Sequence, residues 1–426
     1  MLVKEIIKKM MLLVEYRCKR LHFIVLALFF IFYTTTGYSQ DNTNFSLPEG
    51  QSKVEIPFDN HNNLIIINIK IDGKISSKFI LDSGARGTVL IEKVIGDFLG
   101  FNYTEEFRVA GAGTKGSIKA FLAEDVKMKI KGLEANPMDI FVLQQDYLQL
   151  PKYLGIRVQG ILGIDFFKNL VVQIDYDERK LIIHDPEKFK APKKYKRVSL
   201  SETEEKPYIE GKINLKANQT DTARFLVDTG ASHAILIEMN EENEISVPEK
   251  HIESSLGRGL SGNIPGYIAR VNAIKIEEYG LAEVISSFTS EYSKIQQKGR
   301  VGTIGGELLS RFNIILDMPN NSIYLKPAEN FNDKFEFNMS GMQLVAFGEN
   351  LNRIKVDYVK EGTPAETAGV KKGDEILKLN WIWIELYSLS HIYSILRSRE
   401  GKTIRLKILR NGEEKKKIKF DLERLI

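Results

Sequence analysis

The chain contains the same short motif twice. Residues 79–90 read FILDSGARGTVL and residues 225–236 read FLVDTGASHAIL, and the two stretches align without a gap. Each places an aspartate directly after three apolar residues and before a small hydroxyl residue and a glycine. Repetition of this kind indicates two similar units within one chain, which constrains the fold more than composition does.

Two further pairs of stretches follow the motif in the same order. GAGTKG (111–116) aligns with GRGLSG (257–262), and GILGIDFF (160–167) aligns with GTIGGELL (302–309). The spacing predicts a duplicated unit of roughly 130 to 150 residues, which is an ordinary domain size. Alternating segments such as NNLIIINIKI, broken by turn residues such as IDGK, predict that both units are mainly β.

The paired motif carries chemistry if the two units face each other. Asp82 and Asp228 are then each placed at a tight turn, where glycine permits close backbone approach. Two carboxylates in contact do not both ionise, so they share one proton. One acts as a general base on water and the other as a general acid toward a peptide carbonyl. A single copy would be read as an ordinary surface turn.

Residues 1–40 differ from the rest of the chain. An apolar run (21–33) follows a basic segment, and the small residues Gly37 and Ser39 precede Gln40. This layout predicts a secretory signal peptide over residues 1–40 and an exported protein, periplasmic or extracellular. An uncleaved signal that anchors the chain in a membrane is the alternative.

Charge and cysteine content narrow the function classes. The chain has 60 Lys and Arg and 56 Asp and Glu residues, of which six and two lie in residues 1–40, so the remainder is formally neutral. The sequence contains no basic stripe, so it does not predict a nucleic-acid partner. The one cysteine, Cys18, also lies in residues 1–40, which leaves no thiol nucleophile or disulfide beyond them. The histidines lack metal-binding spacing, and no metal or cofactor is expected.

The stretches DSGARGTVL and DTGASHAIL resemble the signature of retropepsin-like aspartic proteases, and GILGIDFF and GTIGGELL resemble the second motif of that family. The resemblance covers about residues 50–328. It implies two homologous β-barrel lobes in a pepsin-like bilobal unit, a monomer that needs no second chain, and a catalytic pair, Asp82 and Asp228. The residues it implies as support for the active-site loops are Ser83, Gly84, Ala85, Thr229, Gly230 and Ala231.

The same resemblance gives the glycine-rich stretches a role. They are expected to form flap hairpins over substrate, with the glycines Gly111, Gly113, Gly116, Gly257, Gly259 and Gly262. The first stretch also fits the G-x-G-x-x-G pattern of nucleotide-binding loops, but strand-like sequence follows it where that pattern requires a helix. The chain departs from the family at Arg86, where acidic or hydroxyl residues are common. His233 near the second motif suggests a serine-type triad, but no G-x-S-x-G elbow is present.

The last ninety residues form another unit. The stretch GTPAETAGVKKGDEILKLN (362–380) resembles a bacterial-type PDZ domain, a small α+β fold that binds an extended peptide at a sheet edge. By this resemblance the loop Gly341, Met342, Gln343 and Leu344 binds the peptide, although Gln343 replaces a usual glycine. Docking on the protease lobes or on a partner is the alternative.

These observations predict a signal peptide (1–40), a first protease lobe (41–189), a second lobe (190–332) and a PDZ domain (333–426). The expected function is an exported aspartic endopeptidase that acts on proteins or peptides. A catalytically inactive peptide-binding protein on the same scaffold is the alternative, because Arg86 lies beside the first loop.

Overall fold

The alternating sequence of the first lobe forms the strands that it predicts. Residues 64–71 (LIIINIKI) form a strand in which Ile65, Ile67, Ile69 and Ile71 are fully buried. The turn that follows has positive φ at Asp72 (48°) and Gly73 (67°). Such a two-residue turn matches the twist of a β-hairpin, and the chain returns as an antiparallel strand.

The computed structural model describes residues 45–109, 117–201, 206–216, 219–239, 245–259, 262–289 and 300–426. The predicted mainly β class is confirmed. The predicted signal peptide (1–40) lies outside the described residues. None of the helices within those ranges is long and apolar enough to cross a membrane.

The first lobe is built around one mixed sheet. In the described residues its strands follow the order β3-β4-β5-β12-β6-β11-β8-β7, and β9 pairs with β4. Their bounds are β3 Asp59–His61, β4 Leu64–Ile71, β5 Ile75–Leu81, β6 Val89–Leu90, β7 Tyr103–Val109, β8 Ile118–Val126, β9 Met128–Ile130, β11 Met138–Leu143 and β12 Gly160–Leu162. The short strands β1 (Phe45–Ser46) and β10 (Glu134–Ala135) pair with each other. The helices of this lobe are α1 Lys93–Leu99 and α2 Leu150–Leu154, with a 3-10 turn at Ile164–Phe166.

The second lobe repeats this strand order. Its described strands run β16-β17-β22-β18-β21-β20-β19, which corresponds strand by strand to β4-β5-β12-β6-β11-β8-β7. Their bounds are β16 Tyr208–Lys216, β17 Gln219–Val227, β18 Ile235–Ile237, β19 His251–Gly259, β20 Gly262–Ile276, β21 Tyr279–Thr289 and β22 Gly302–Ile304. The lobe also has helix α3 (Gly306–Leu309) and a 3-10 turn at Met318–Asn320.

A third sheet takes strands from both lobes. Its described order is β15-β24-β23-β13-β14-β2. The bounds are β2 Lys53–Pro57, β13 Val171–Asp175, β14 Lys180–His184, β15 Lys196–Ser199, β23 Phe312–Asp317 and β24 Ser322–Pro327. The lobes meet where β13 runs antiparallel to β23, with Val172 opposite Leu316. This backbone ladder fixes the lobes against each other.

The C-terminal unit has its own sheet and core. Its strands are β25 Met342–Phe347, β26 Arg353–Val359, β27 Glu375–Leu379, β28 Ile382–Trp383, β29 Thr403–Arg410 and β30 Glu414–Asp421. Its helices are α4 Pro364–Thr367 and α5 Leu389–Leu396, with a 3-10 turn at Ile384–Leu386. Met339 packs in this core, whereas Phe335 still packs in the core of the lobes. The domain boundaries themselves stay predictions.

One buried amide ties the two lobes together beside their shared sheet. Asn313 on β23 is fully buried, and its Oδ1 accepts a hydrogen bond from Tyr176 N of the first lobe at 2.8 Å. Its Nδ2 donates to Asp177 Oδ2 at 2.6 Å. A buried polar group left without its partner costs about 1–3 kcal/mol.

We therefore expect Asn313→Ala to lower the free energy of unfolding by about 2–4 kcal/mol, since it strands both partners. The exposed Asn332 of the same lobe provides the control, and Asn332→Ala should change stability by less than about 0.5 kcal/mol. Urea unfolding followed by circular dichroism measures both. Equal effects of the two substitutions would contradict the role assigned to Asn313.

Candidate active site

Both predicted catalytic aspartates follow a central strand and are held by a parallel neighbour. Asp82 follows β5, and its backbone N–H donates to Leu162 O on β12 at 2.9 Å. Asp228 follows β17, and its N–H donates to Ile304 O on β22 at the same distance. The stretches GILG and GTIG, which the sequence aligned, therefore brace the two loops in the same way.

Ser83 and Thr229 join the two loops by reciprocal hydrogen bonds. Ser83 N donates to Thr229 Oγ1 at 3.0 Å, and Thr229 N donates to Ser83 Oγ at 3.1 Å. Each hydroxyl then donates to a carbonyl of the opposite lobe, Ser83 to Val227 at 2.8 Å and Thr229 to Leu81 at 2.8 Å. Both side chains are buried. Because every group has its partner in the other lobe, the loops are fixed in register.

The glycines after Ser83 and Thr229 allow the aspartates to approach the opposite loop. A Cβ added at Gly84 would lie 2.6–2.9 Å from the carboxyl atoms of Asp228. A Cβ added at Gly230 would collide with the carboxyl group of Asp82. Any side chain at either position would displace a carboxylate, so glycine is required here by space and not by φ.

The two carboxyl groups share a hydrogen bond and differ in their other partners. Asp82 Oδ1 accepts from the backbone N–H groups of Gly84 and Ala85 at 2.8 and 2.9 Å. Asp228 Oδ1 accepts from Gly230 N at 2.9 Å. Burial, and then the negative charge of Asp228, raise the pKa of Asp82 well above its ordinary value. The arrangement favours one proton shared between them.

Two cations act on the charge of Asp228. Burial also raises the pKa of Asp228, but its hydrogen bonds and the positive charges of Lys206 and Arg300 oppose that rise. Lys206 is itself half-buried, and burial together with the charges of Arg86 and Arg300 lowers its pKa. Arg300 forms an ion pair with Glu238. The two positive charges thus favour the ionised form of Asp228.

His233 does not take part in a triad in the described residues. Burial lowers its pKa to about 4, so the imidazole is neutral at pH 7. Its Nε2 is buried without a hydrogen-bond partner among the described residues.

The remaining predicted site residues lie in three places. Ala231 belongs to the second loop, and its carbonyl accepts from Gly306 N at 2.7 Å. Gly257, Gly259 and Gly262 lie at the end of the β19–β20 hairpin, where Gly259 pairs with Gly262. Gly111, Gly113 and Gly116 lie outside the described residues, between strands β7 and β8 that form the matching hairpin. Their flap role stays a prediction.

The predicted peptide-binding loop already has partners for two of its N–H groups. Met342 N donates to Ser340 Oγ at 3.1 Å, and Leu344 N donates to the Tyr393 hydroxyl at 2.8 Å. Gly341 O accepts from Lys360 N, and Gln343 pairs with Tyr358 of β26. This loop is not an open nest of donors for a carboxylate, and its binding role stays a prediction.

Sequence reasoning missed the cations of the site and the partner of Leu344. Lys206 directly precedes Pro207, whose carbonyl accepts from Val227 N beside Asp228. Because Lys206 lies next to the strand YIEGKINL in the sequence, it could have been predicted to lie near the second loop. The sequence around Arg300 and around Tyr393 carries no comparable signal, because each residue is brought to its partner by packing between segments that are distant in the sequence.

Comparison with protein families agrees with this geometry. A family model described as aspartyl protease matches residues 67–166 and so includes Asp82 and its bracing strand β12. Residues 67–166 form an aspartyl protease domain. A second model, described as PDZ domain, matches residues 355–410. The family resemblance drawn from the sequence is confirmed for these two domains.

Individual proteins resemble this chain more distantly. The serine protease Do-like HtrA of Bacillus subtilis (strain 168) is 29% identical over 184 residues, which is 42% of this chain and 38% of that protein. The chain thus spans well under half of that relative. The crystal structure of an aspartic proteinase from Irpex lacteus aligns with 66% of this chain and 99% of its own, at 11% identity and a TM-score of 0.42.

The loop network of the aspartyl protease domain predicts unequal effects from two identical substitutions. Thr229→Val removes an acceptor from Ser83 N and a donor from Leu81 O, so we expect a loss of about 2–4 kcal/mol in unfolding free energy. Thr88 is equally buried, and its hydroxyl has no hydrogen-bond partner in the described part of the chain. Thr88→Val should therefore be neutral or slightly stabilising.

Differential scanning calorimetry of both variants beside the wild type gives the comparison. Similar destabilisation by Thr229→Val and Thr88→Val would show that the reciprocal hydrogen bonds carry no special weight.

Proposed function

We propose that this chain is an exported aspartic endopeptidase that hydrolyses peptide bonds with a water molecule activated by Asp82 and Asp228. The observation that carries the proposal is the contact of the two carboxyl groups across the Ser83–Thr229 network. Both aspartates keep some solvent-exposed surface, whereas Ser83 and Thr229 are fully enclosed. Water and substrate can therefore reach the carboxyl groups but not the network that holds them.

The first step forms a bond between water and the substrate carbonyl. Ionised Asp228 removes a proton from water, and the oxygen attacks the carbonyl carbon. Protonated Asp82 donates its proton to the carbonyl oxygen, which yields a tetrahedral diol. The pair still holds one proton, now on Asp228.

The second step breaks the peptide bond. Asp228 donates its proton to the amide nitrogen, the C–N bond cleaves, and the diol loses a hydroxyl proton to Asp82. The products are a carboxylic acid and an amine, and the pair returns to its starting state. Fixed positions of both carboxyl groups supply the catalytic advantage, because no group has to reorient during the reaction.

The wider setting of this activity belongs to the same proposal. Residues 1–40 act as a signal peptide that brings the protein to the periplasm or the cell exterior. One chain supplies both aspartates, so a monomer is active on protein or peptide substrates.

Two rival functions make different predictions in one assay. A peptide-binding protein derived from the same scaffold would bind without cleaving. A serine protease, as the name of the Bacillus relative suggests, would be inhibited by a serine-directed sulfonyl fluoride. We expect cleavage of denatured protein between pH 3 and 8 that a pepstatin-type inhibitor blocks and the sulfonyl fluoride leaves unchanged. Absence of cleavage, or the reverse inhibition pattern, would refute the proposal.

Replacement of one carboxyl group separates catalysis from folding. In Asp82→Asn the amide oxygen can still accept from Gly84 and Ala85, and the amide nitrogen can donate to Asp228, as the protonated acid does. We expect kcat/KM to fall by about 100- to 10,000-fold, the usual contribution of general acid–base catalysis. The exposed Asp139 gives the control variant Asp139→Asn, which should keep full activity.

The same variant should be more stable than the wild type at neutral pH. Since the folded-state pKa of Asp82 is raised, its contribution to stability is present below the unfolded pKa and is lost as the pH rises through the folded pKa. Asparagine at position 82 does not ionise, so the variant does not lose this stability as the pH rises. The melting temperature of Asp82→Asn should exceed that of the wild type at pH 7, and the gap should narrow toward pH 4; a gap that widens on acidification would contradict the raised pKa.

Lys206 should set the acid limb of the pH profile. Its positive charge favours the ionised form of Asp228, so Lys206→Met should move the acid limb of kcat/KM to higher pH. The control is Lys212→Met at an exposed position of β16, which should leave the profile unchanged. An acid limb that stays in place in Lys206→Met would exclude Lys206 from the electrostatics of the pair.

A further inference from the structure

A segment of the first lobe lies on the PDZ domain where a peptide ligand would bind. We call residues 150–157 the docked segment; it contains α2 and the turn after it. In the described residues β25 is the edge strand of the PDZ sheet and pairs only with β26. Extended ligands add to such an edge, between the strand and the neighbouring helix. Here that helix is α5.

Gly155 of the docked segment fills the space between that strand and that helix. A Cβ added at Gly155 would lie 2.9 Å from the Leu389 Cβ of α5 and 3.7 Å from the Ala346 Cβ of β25. Gly155 also ends α2 with a φ of 70°, which favours glycine. The backbone at Gly155 therefore lies close to both walls of the groove, with no room for a side chain on the side of α5.

Polar contacts hold the docked segment at both ends. Lys152 Nζ lies 3.4 Å from Asp357 Oδ1 on β26. Arg157 donates through a guanidinium nitrogen to Glu349 O at 2.9 Å, just beyond β25. On its other side Leu154 packs against the first lobe with Leu64, Ile66 and Ile80. The docked segment is thus enclosed between the lobe and the PDZ domain.

The edge of β25 is also closed at its central position. The Tyr393 hydroxyl of α5 accepts from Leu344 N at 2.8 Å and donates to Leu344 O at 3.1 Å. A peptide strand added to β25 would need those same backbone groups. The Tyr393 side chain and the docked segment together occupy the backbone groups and the space that an incoming peptide would need.

The docked segment leads directly to the brace of Asp82. Two residues beyond its end, Gln159 N donates to Lys78 O at 2.9 Å and Gln159 O accepts from Ile91 N at 2.9 Å. Strand β12 then begins, and its last residue, Leu162, accepts from Asp82 N. Whatever holds the docked segment therefore also holds the strand beneath the first catalytic loop.

Helix α5 is linked to the second loop through the adjacent residues Asn62 and Asn63. Ser390 Oγ accepts from Asn62 N at 3.4 Å, and the adjacent Asn63 donates through Nδ2 to Ser232 O at 3.1 Å. Ser232 lies two residues after Gly230 in the second loop. At the other end of α5, the charge of Arg397 acts on the half-buried Glu307 of α3.

We propose that the groove between β25 and α5 is a receptor for the docked segment of the same chain, so that the PDZ domain clamps the brace of Asp82 and does not serve as a free receptor for other peptides. The proposal concerns the domain contact and goes beyond the proposed hydrolysis. A tethered ligand has an effective concentration in the millimolar range, so free peptides of ordinary affinity compete poorly with it.

The test uses a fluorescein-labelled peptide that copies residues 148–159, LQLPKYLGIRVQ. The variant Gly155→Leu forces the docked segment out of the groove. The control Gly100→Leu has the same type of helix end, a φ of 78°, and no heavy atom within 4 Å of its added Cβ. Both substitutions carry similar backbone strain, but only the first meets the PDZ domain.

We expect the labelled peptide to bind Gly155→Leu with micromolar affinity and to bind wild type and Gly100→Leu at least about 100-fold more weakly. A peptide that carries leucine in place of its own glycine should not bind. Hydrogen exchange should rise in β25 and α5 of Gly155→Leu alone. Equal binding to all three proteins, or unchanged exchange and no binding in Gly155→Leu, would overturn the proposal.

If Gly155→Leu fails to fold, the double variant Lys152→Ala, Arg157→Ala takes its place, because it removes the two polar contacts of the docked segment. The same peptide binding and the same rise in hydrogen exchange are then expected of the double variant. Peptide binding and hydrogen exchange do not depend on hydrolysis, so they test the clamp even if the protease proposal fails. For an active protease, release of the docked segment should also lower kcat/KM by about 10- to 100-fold, because a small displacement of a catalytic loop has effects of that size.

Discussion

The reciprocal hydrogen bonds between Ser83 and Thr229 are the constraint on which the rest of the site depends. They satisfy two backbone N–H groups and two backbone carbonyls in a place that water does not reach. Buried polar groups of this kind are costly when unpaired, so the two loops either meet in this register or do not pack at all. The meeting of Asp82 and Asp228 is a consequence of that register. The glycines that follow provide the space for it.

Both lobes have the same strand order, and a third sheet with strands from each lobe joins them. Each lobe places its aspartate after a central strand and braces it with a parallel neighbour, and the shared sheet locks β13 to β23. What breaks the symmetry is electrostatic. The positive charges of Lys206 and Arg300 lower the pKa of Asp228, whereas burial and the negative charge of Asp228 raise the pKa of Asp82. Two chemically identical groups thereby acquire different roles, as a general acid and a general base.

Local sequence patterns predicted the elements that local sequence determines. The paired motifs and the mainly β class could be predicted from short stretches, because strand alternation and tight turns are encoded within a few residues. The PDZ domain is predicted from the resemblance of residues 362–380 to a known family. The contacts between segments that are distant in the sequence could not be predicted in this way. Arg157 contacts Glu349, which lies 192 positions away in the sequence, and Tyr393 forms hydrogen bonds with Leu344 at the edge of the PDZ sheet.

The account is tested most directly by the titration of the two carboxyl groups themselves. Carbon-13 NMR of the protein labelled at aspartate Cγ, with Asp82→Asn and Asp228→Asn used for assignment, follows both groups across pH. The account predicts a coupled pair that loses its protons in two well-separated steps, with one proton retained far above the range of an ordinary aspartate and located on Asp82. Independent titration of both groups near pH 4, the ordinary range for aspartate, would contradict it.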